Sequence, residues 1–445
     1  QIRLFRSWLI KNGYDDVGVE IDAANTGTQK TIMSGVAGAA ADLFDFGGTD
    51  FRFVQDMGLL SDLSDLPERL HFKTNNYYPG LYDQLFRDGK RYAYSANVAV
   101  NMFIANKLAF RKAHIPLPPY RWTHEEFERI GRDYVESANK GESRRLYFFA
   151  NNNKYFREVL RRSAGVSWFN ESLTKSSLDD PRHIAVLGKI KKWVDEMHIL
   201  PSEGDVAALS TQLVTGFGGA ESQYFHKGYF ATLFWGSWAL VGLRELGGEM
   251  ELAAIEPPHA GFPTTDLGGR GIMIYEGSQH KEEAALFIKF LSSEEYNLSQ
   301  IESGDAQPPD PSFLDRQEFL HPKRFPNEWE VMEKFARASK EIAQCREYSP
   351  FANFSESWRA YDSYYSGYMS GVYTAHEMAK QSAEAMNRGI VAYVKRHPLL
   401  QKSYEEALER QKKIDVIKAE NGKIPLELVD NPVLKRFYRE TGMGI

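Results

Sequence analysis

The feature that most constrains the fold is an alternation of strand-like and helix-like segments near the start of the chain. Residues 17–21 alternate apolar and polar side chains, as in a strand, and residues 29–41 are rich in small and apolar residues, as in a helix. A short apolar stretch at 42–46 and a segment with helical spacing at 51–60 repeat this order. Because alternating strands and helices build α/β layers, the sequence predicts an α/β fold.

Composition excludes several other classes of protein. The chain has 445 residues, 42% of them apolar, which is too long for one small domain. Its formal charge of −6 gives no overall attraction for phosphates, so we expect no nucleic-acid partner. The single cysteine, Cys345, excludes an internal disulfide. The longest charge-free apolar window, 228–243, contains three glycines and is shorter than a membrane span of about 20 residues.

Two capping boxes predict where helices begin. In this motif a Ser or Thr side chain binds the third helical amide, and a Glu at that position reaches back to the cap. Thr123 with Glu126 predicts a helix over 124–137, and Thr374 with Glu377 predicts another.

Glycine and proline predict where the remaining elements end. Ser278 is expected to cap a helix, and Gly304 is expected to end helical structure. The apolar residues that share one face of this helix are Ala284, Ala285, Phe287, Ile288 and Leu291. With the neighbouring prolines, these signals place chain crossings at about 98–110, 256–262 and 303–313.

Catalytic and metal-binding motifs are missing. None of the 11 histidines lies four residues from another, and Gly216 to Gly219 lacks the spacing of a phosphate loop, so we expect neither metal nor cofactor. Ser237 has only one of the two glycines of a nucleophile elbow. The chain is therefore expected not to be an enzyme. Sixty acidic residues still leave a distant catalytic pair possible, so a glycan hydrolase or lyase stays the alternative.

Short motifs recur in a fixed order between about residues 20 and 390. They are Gly-Leu-Leu-Ser-Asp-Leu at 58–63, Asp-Gly-Lys-Arg-Tyr at 88–92, Trp-Thr-His-Glu-Glu-Phe at 122–127, Gly-Ser-Trp at 236–238 and Gly-Gly-Arg-Gly at 268–271. Together they resemble the extracellular solute-binding proteins of sugar ABC transporters, the family that includes maltose-binding proteins. His124 stands where the family has a second tryptophan. The family's opening strand would precede Gln1, so its ligand contacts are outside this sequence.

This resemblance implies a two-lobed periplasmic-binding-protein fold, with a ligand cleft between the lobes that closes about a hinge. The expected lobes are discontinuous. Lobe 1 comprises 1–108 and 258–308, and lobe 2 comprises 109–257 and 309–395. Residues 396–445 extend past the family's usual end and are expected to form a helical extension docked on lobe 2. A free arm that contacts the permease is the alternative.

The expected ligand contacts follow from sugar chemistry. Sugar rings stack on aromatic planes and their hydroxyls bind planar polar side chains. Trp235 and Trp238, on the Gly-Ser-Trp segment, fit the first need. The further candidates are Tyr224, Tyr78, Asn97 and Asp45. Core packing is the alternative for each aromatic residue, and a hydrogen bond within a strand or turn is the alternative for Asn97.

Arg270 bears on the charge of the ligand. Its glycine neighbours allow close backbone approach, and its guanidinium offers a fork to a carboxylate or sulfate. If Arg270 faces the cleft, acidic oligosaccharides are expected to be preferred. A solvated surface arginine is the alternative.

The resulting hypothesis is a carbohydrate-binding receptor that delivers an oligosaccharide to the permease of an ABC importer. We expect a monomer in the periplasm or another extracytoplasmic space. Both a free and a membrane-tethered form are compatible with the sequence, and a signal segment is expected to be absent from this chain. An adaptor with a vestigial cleft is a third hypothesis.

Overall fold

The computed structural model describes residues 1–22, 28–47, 51, 54–55, 57–73, 77–209, 219–247 and 250–445. The chain divides into two compact units, each built from three stretches. The first unit comprises Gln1–Val100, Gly236–Val241 and Leu267–Ser339, and the second comprises Asn101–Trp235, Gly242–Asp266 and Lys340–Ile445. The lobe boundaries expected from the sequence stay a prediction, and the first unit runs on to Ser339, past the boundary expected at 308.

The described strands are short except for two. In chain order they are β1 Leu43–Gly47, β2 Phe86–Arg87, β3 Lys90–Arg91, β4 Tyr94–Asn106, β5 Phe148–Ala150, β6 Phe230–Gly236, β7 Leu252–Ile255, β8 Thr265–Ile274 and β9 Ala343–Gln344. The two long strands, β4 and β8, each contribute residues to both units.

The described α-helices lie between and after these strands. They are α1 Ile2–Lys11, α2 Thr28–Val36, α3 Leu66–Arg69, α4 Tyr82–Leu85, α5 Lys107–Lys112, α6 His124–Ala138, α7 Lys154–Ser163, α8 Pro181–Asp195, α9 Glu203–Leu209, α10 Gly219–His226, α11 Ala239–Glu245, α12 Lys281–Leu291, α13 Glu294–Ser303, α14 Gln317–Leu320, α15 Trp329–Glu341, α16 Phe354–Met369, α17 Ala375–Arg396, α18 Gln401–Ala419 and α19 Pro432–Glu440. None of the helices in the described ranges is long and apolar enough to cross a membrane.

An antiparallel sheet organises the first unit. Strand β8 lies between β1 and β4, and its Arg270 is opposite Gly47 on one side and Asn97 on the other. The register shifts between Ser95 and Asn97, which is a β-bulge. Aromatic residues of α1, including Phe5 and Trp8, bury one face of this sheet together with α12. The sheet therefore holds polar side chains of three strands in a fixed register.

The second unit has a core rich in aromatic residues. Strands β5 and β6 are parallel, with Phe148 opposite Phe230. Helix α6 begins with the predicted capping box, in which Thr123 and Glu126 exchange both hydrogen bonds. Its Phe127 lies in a fully buried cluster with Trp193. Because β5 and β6 are parallel, their carboxyl ends lie at the same edge of the sheet of the second unit.

The C-terminal helices pack within the second unit. Helix α17 starts at the predicted capping box of Thr374 and Glu377 and packs along α16. Residues of α18, α19 and the segment between them form a small apolar cluster around Ile414 and Tyr438. Asn431 is fully buried, and its amide donates to Ser167 Oγ over 2.7 Å.

Two local expectations differ from the structure, and a third is described only in part. Residues 17–21 are not assigned as a strand, because no ladder partner lies beside them among the described residues. The N-cap of α12 is His280 rather than Ser278, whose hydroxyl instead accepts from the His280 amide and donates to Asp42. The helix expected over 51–60 lies partly outside the described residues.

Candidate functional site

Asp45, Arg270 and Asn97 meet on the sheet of the first unit. Arg270 Nε donates to Asp45 Oδ1 over 3.0 Å, and its Nη2 donates to the other carboxylate oxygen. The backbone amide of Arg270 donates to Asn97 Oδ1 over 3.3 Å. Three of the seven predicted ligand contacts, from three different strands, therefore form one polar cluster. The hydrogen bonds of Asp45 raise the pKa of Arg270, so the arginine stays charged.

The surface beside this cluster is open because its neighbours are glycines. A Cβ added to Gly47 or Gly268 would meet nothing within 4 Å. At Gly269, in contrast, a Cβ would lie 2.6 Å from the carbonyl oxygen of Asn97, so the strands can pair this closely only with glycine there. The side chains of Arg270 and Asp45 are 59% and 36% exposed. The cluster is thus accessible to a ligand within the first unit.

Two further groups act on Arg270 electrostatically. Asp305 is half-buried, and burial raises its pKa although the charge of Arg270 opposes the rise. Burial also raises the pKa of Tyr296, whose hydroxyl donates to the carbonyl oxygen of Ala96 over 2.7 Å. Arg270 is therefore a cation that binds one carboxylate, Asp45, and interacts electrostatically with a second carboxyl group, Asp305.

Trp235 and Trp238 are both partly exposed. Trp235 is the penultimate residue of β6 and belongs to the second unit, whereas Trp238 lies in the turn before α11 and belongs to the first. Ser237 between them is buried, in accord with a packing role. Each tryptophan thus keeps surface that a ligand can contact. Trp235 differs in this from the other residues of β6, which are buried.

Tyr78 and Tyr224 lie in core positions. Tyr78 is 4% exposed and donates to the carbonyl oxygen of Pro308 over 3.0 Å. Tyr224 is 1% exposed, and its ring packs edge-on against Phe230. These are the contacts that the core-packing alternative describes, and ligand contact by either residue stays an untested prediction.

An aromatic cluster in the second unit has no counterpart among the predicted contacts. Tyr155 and Trp358 are both partly exposed, and the guanidinium of Arg346 lies over their rings at 4.4 and 5.4 Å. Arg346 is held by Asp266, with Nη2 to Oδ2 at 2.9 Å. Burial opposes ionisation of Asp266, but Arg346 and Arg162 outweigh it and lower its pKa. Tyr155 follows three asparagines in the sequence, a polar–aromatic signal that could have marked it.

An asparagine directly after β5 binds a glutamate of α10 in the second unit. Asn151, directly after β5, donates to Glu221 Oε2 over 2.9 Å and accepts from the Phe234 amide over 2.7 Å. Burial raises the pKa of Glu221. Ligands of open α/β sheets bind outside the carboxyl ends of the strands. Asn151 and Trp235 both lie at this edge of the second unit.

The described residues contain no group of three or more His, Cys, Asp or Glu side chains arranged to hold a metal ion. What they do present is aromatic surface beside hydrogen-bonding side chains, on a mixed α/β scaffold. The fold is mixed α/β, and solved structures of similar fold are two-lobed periplasmic binding proteins.

The family follows from the comparisons. A family model described as bacterial extracellular solute-binding protein matches residues 11–330, so the chain belongs to this family. The resemblance seen in the sequence motifs is thereby confirmed, as is the predicted fold class. Members are extracellular, which implies an extracytoplasmic location. No protein among curated sequences matches the chain.

Solved structures share the fold at low sequence identity. An ABC substrate-binding protein from Listeria monocytogenes, in complex with cycloalternan, is 20% identical with a TM-score of 0.72, over 87% of this chain and 94% of that one. A solute-binding protein from Thermotoga lettingae bound with α-D-tagatose is 16% identical with a TM-score of 0.68, over 87% and 95%. A maltose/maltodextrin-binding domain from Bdellovibrio bacteriovorus bound to maltotriose is 15% identical with a TM-score of 0.66, over 87% and 95%.

Proposed function

We propose that this chain is a carbohydrate receptor that binds an oligosaccharide and delivers it to the permease of an ABC importer. The observation that carries the proposal is that a member of the solute-binding family presents both partly exposed tryptophans and, in its first unit, an accessible cluster of planar polar groups. Trp235 and Trp238 offer faces for sugar rings, and Asn97, Asp45 and Arg270 offer donors and acceptors for hydroxyls. The sugars named with the similar structures support the same ligand class.

Tyr155 and Trp358 extend the proposal to the second unit. Both rings are partly exposed, and Arg346 is fixed against them by the buried carboxylate of Asp266. A ring held in this way loses little conformational freedom when it contacts a ligand. We include both residues among the proposed contacts.

The remaining features of the proposal are non-enzymatic action, a monomeric state and binding to permease subunits. Non-enzymatic action is supported by the family, whose members are binding proteins. Ligand-driven hinge closure and a membrane tether stay predictions.

Incubation with a panel of glycans tests the proposal. The panel contains cycloalternan, maltotriose and maltotetraose, and each mixture is examined by a thermal shift assay and by product analysis. A ligand that binds only the native state raises the melting temperature by mass action. A shift with unchanged glycan supports a receptor. Release of shorter sugars would instead support the glycan hydrolase or lyase, and no shift with any glycan would contradict carbohydrate binding.

A further inference from the structure

The ion pair between Asp45 and Arg270 has a consequence for the kind of glycan that this chain accepts. Both side chains belong to the first unit and are partly exposed, yet they already bind each other through two parallel hydrogen bonds. A bidentate Arg–carboxylate pair uses the fork with which an arginine would grip an anionic ligand. The Nε–Nη2 fork of the guanidinium that predicted an acidic glycan is thus already bound to a carboxylate of the same chain.

The local balance of charge is also unfavourable to an anion. Asp305 also interacts electrostatically with Arg270, so the charge of this one cation is already opposed by two carboxyl groups. A ligand carboxylate or sulfate that approaches Arg270 would have to displace Asp45 or lie beside it. Bringing like charges together at a binding surface is unfavourable and excludes wrong partners.

The same pair suits neutral hydroxyl groups. Arginine has five N–H donors, and Asp45 takes two of them. Three N–H donors of the guanidinium are left beyond these two, and the carboxylate oxygens of Asp45 keep lone pairs that can accept. A sugar hydroxyl donates and accepts at once, so it can bind both partners without breaking the pair. The bare surface at Gly47 and Gly268 leaves room for a sugar ring beside them.

We propose that the Asp45–Arg270 pair selects neutral glycans and rejects anionic ones. This inference rests on the proposed function, because it assigns the pair to the glycan site. Asp45 acts as the specificity residue. Removing its charge while keeping its shape should free Arg270 for an anionic ligand.

The experiment compares Asp45→Asn with the unaltered protein and with a matched control, Asp16→Asn. Asp16 forms a similar bidentate and exposed pair with Arg6 in the same unit, with Arg6 Nε to Asp16 Oδ1 at 2.8 Å. Calorimetry measures binding of maltotetraose and of maltotetraose whose non-reducing glucose is replaced by glucuronic acid. The unaltered protein and Asp16→Asn should prefer the neutral chain by about tenfold or more. Asp45→Asn should lower that preference by at least tenfold or reverse it.

A second readout does not depend on glycan binding. Sulfate should stabilise Asp45→Asn more than it stabilises the unaltered protein in a thermal shift assay, and the double variant with Arg270→Gln should lose this gain. If neither glycan binds any variant, the proposed function fails, and the sulfate result alone decides whether Asp45 blocks the arginine. Equal affinity of the unaltered protein for both glycans, or an unchanged sulfate response in Asp45→Asn, would overturn the inference. Asp45→Ser replaces Asp45→Asn should the latter fail to fold.

Discussion

Replacing Asn431 by alanine tests how the C-terminal segment is attached to the second unit. The Asn431 side chain is fully buried and makes five hydrogen bonds. Its amide donates to Ser167 Oγ, to the Phe169 carbonyl oxygen at 3.0 Å and to the Asn170 carbonyl oxygen at 3.2 Å. Its Oδ1 caps α19 by accepting from the first two amides after Pro432, at 3.1 and 3.3 Å.

The expected loss of stability follows from these contacts. An N-cap asparagine contributes about 1 kcal/mol, and leaving buried acceptors without a donor costs about 1 to 3 kcal/mol. We therefore expect Asn431→Ala to lower the free energy of unfolding of this region by about 2 to 4 kcal/mol. Asn353→Ala is the matched control. Asn353 also caps a helix of the second unit, α16, but within the described part of the chain its side chain makes only one hydrogen bond, accepting from the Glu356 amide at 3.2 Å. The Asn353→Ala variant should lower the free energy of unfolding by about 1 kcal/mol.

Native-state hydrogen exchange of residues 424–440 measures the local effect, and urea unfolding measures the global one. Exchange in this segment should accelerate in Asn431→Ala by roughly 30-fold or more, which is about 2 kcal/mol. The Asn353→Ala variant should leave exchange there unchanged. Losses in the two variants that agree within about 0.5 kcal/mol would refute the argument that the buried amide holds the segment in place.

Three further predictions concern other parts of the molecule. Deleting residues 420–445 should lower the melting temperature and leave glycan affinity largely unchanged. The stability falls because the deletion removes four buried side chains, those of Ile424, Val433, Leu434 and Tyr438. An unaltered melting temperature would show that the segment does not dock on the second unit. Stability should fall as the pH is lowered from 6.5 to 4, because burial lowers the pKa of His124 and His183 to about 4 and the unfolded chain therefore binds more protons in this range. The free energy of unfolding should fall by about 3 kcal/mol for each histidine. A His183→Asn variant with an unchanged pH profile of stability would show that His183 does not contribute to this fall. Trp235→Ala should weaken glycan binding by about 1 to 3 kcal/mol in calorimetry, whereas Trp329→Ala, which removes an exposed ring of the first unit, should not; equal affinities would remove Trp235 from the site.

Much of the fold was predictable because its signals are local. The capping boxes at Thr123 and Thr374 mark helix starts to the residue, since cap and helix lie within four positions of each other. The C-terminal helix α19 also carries a local signal, because Asn431 caps it and Pro432 stands at its first position. The strand expected at residues 17–21 is not present, because a strand depends on a partner elsewhere in the chain and a local pattern does not supply one.

The candidate site was predictable only in part for a related reason. A sequence motif marked Arg270, but its pairing with Asp45 depends on two strands separated by 225 positions in the chain. The charge available to a ligand is a property of that pair and not of either residue. Likewise Tyr155 and Arg346 meet only after α7 and the residues after β9 have packed, and no spacing in the sequence announces their contact.

A crystal structure with cycloalternan or maltotetraose bound tests the central claim most directly. The account predicts intact sugar density with at least one ring against Trp235 or Trp238, and hydroxyls within hydrogen-bond distance of Asp45 or Arg270. Sugar bound away from all four residues, or density for cleaved glycan, would contradict it.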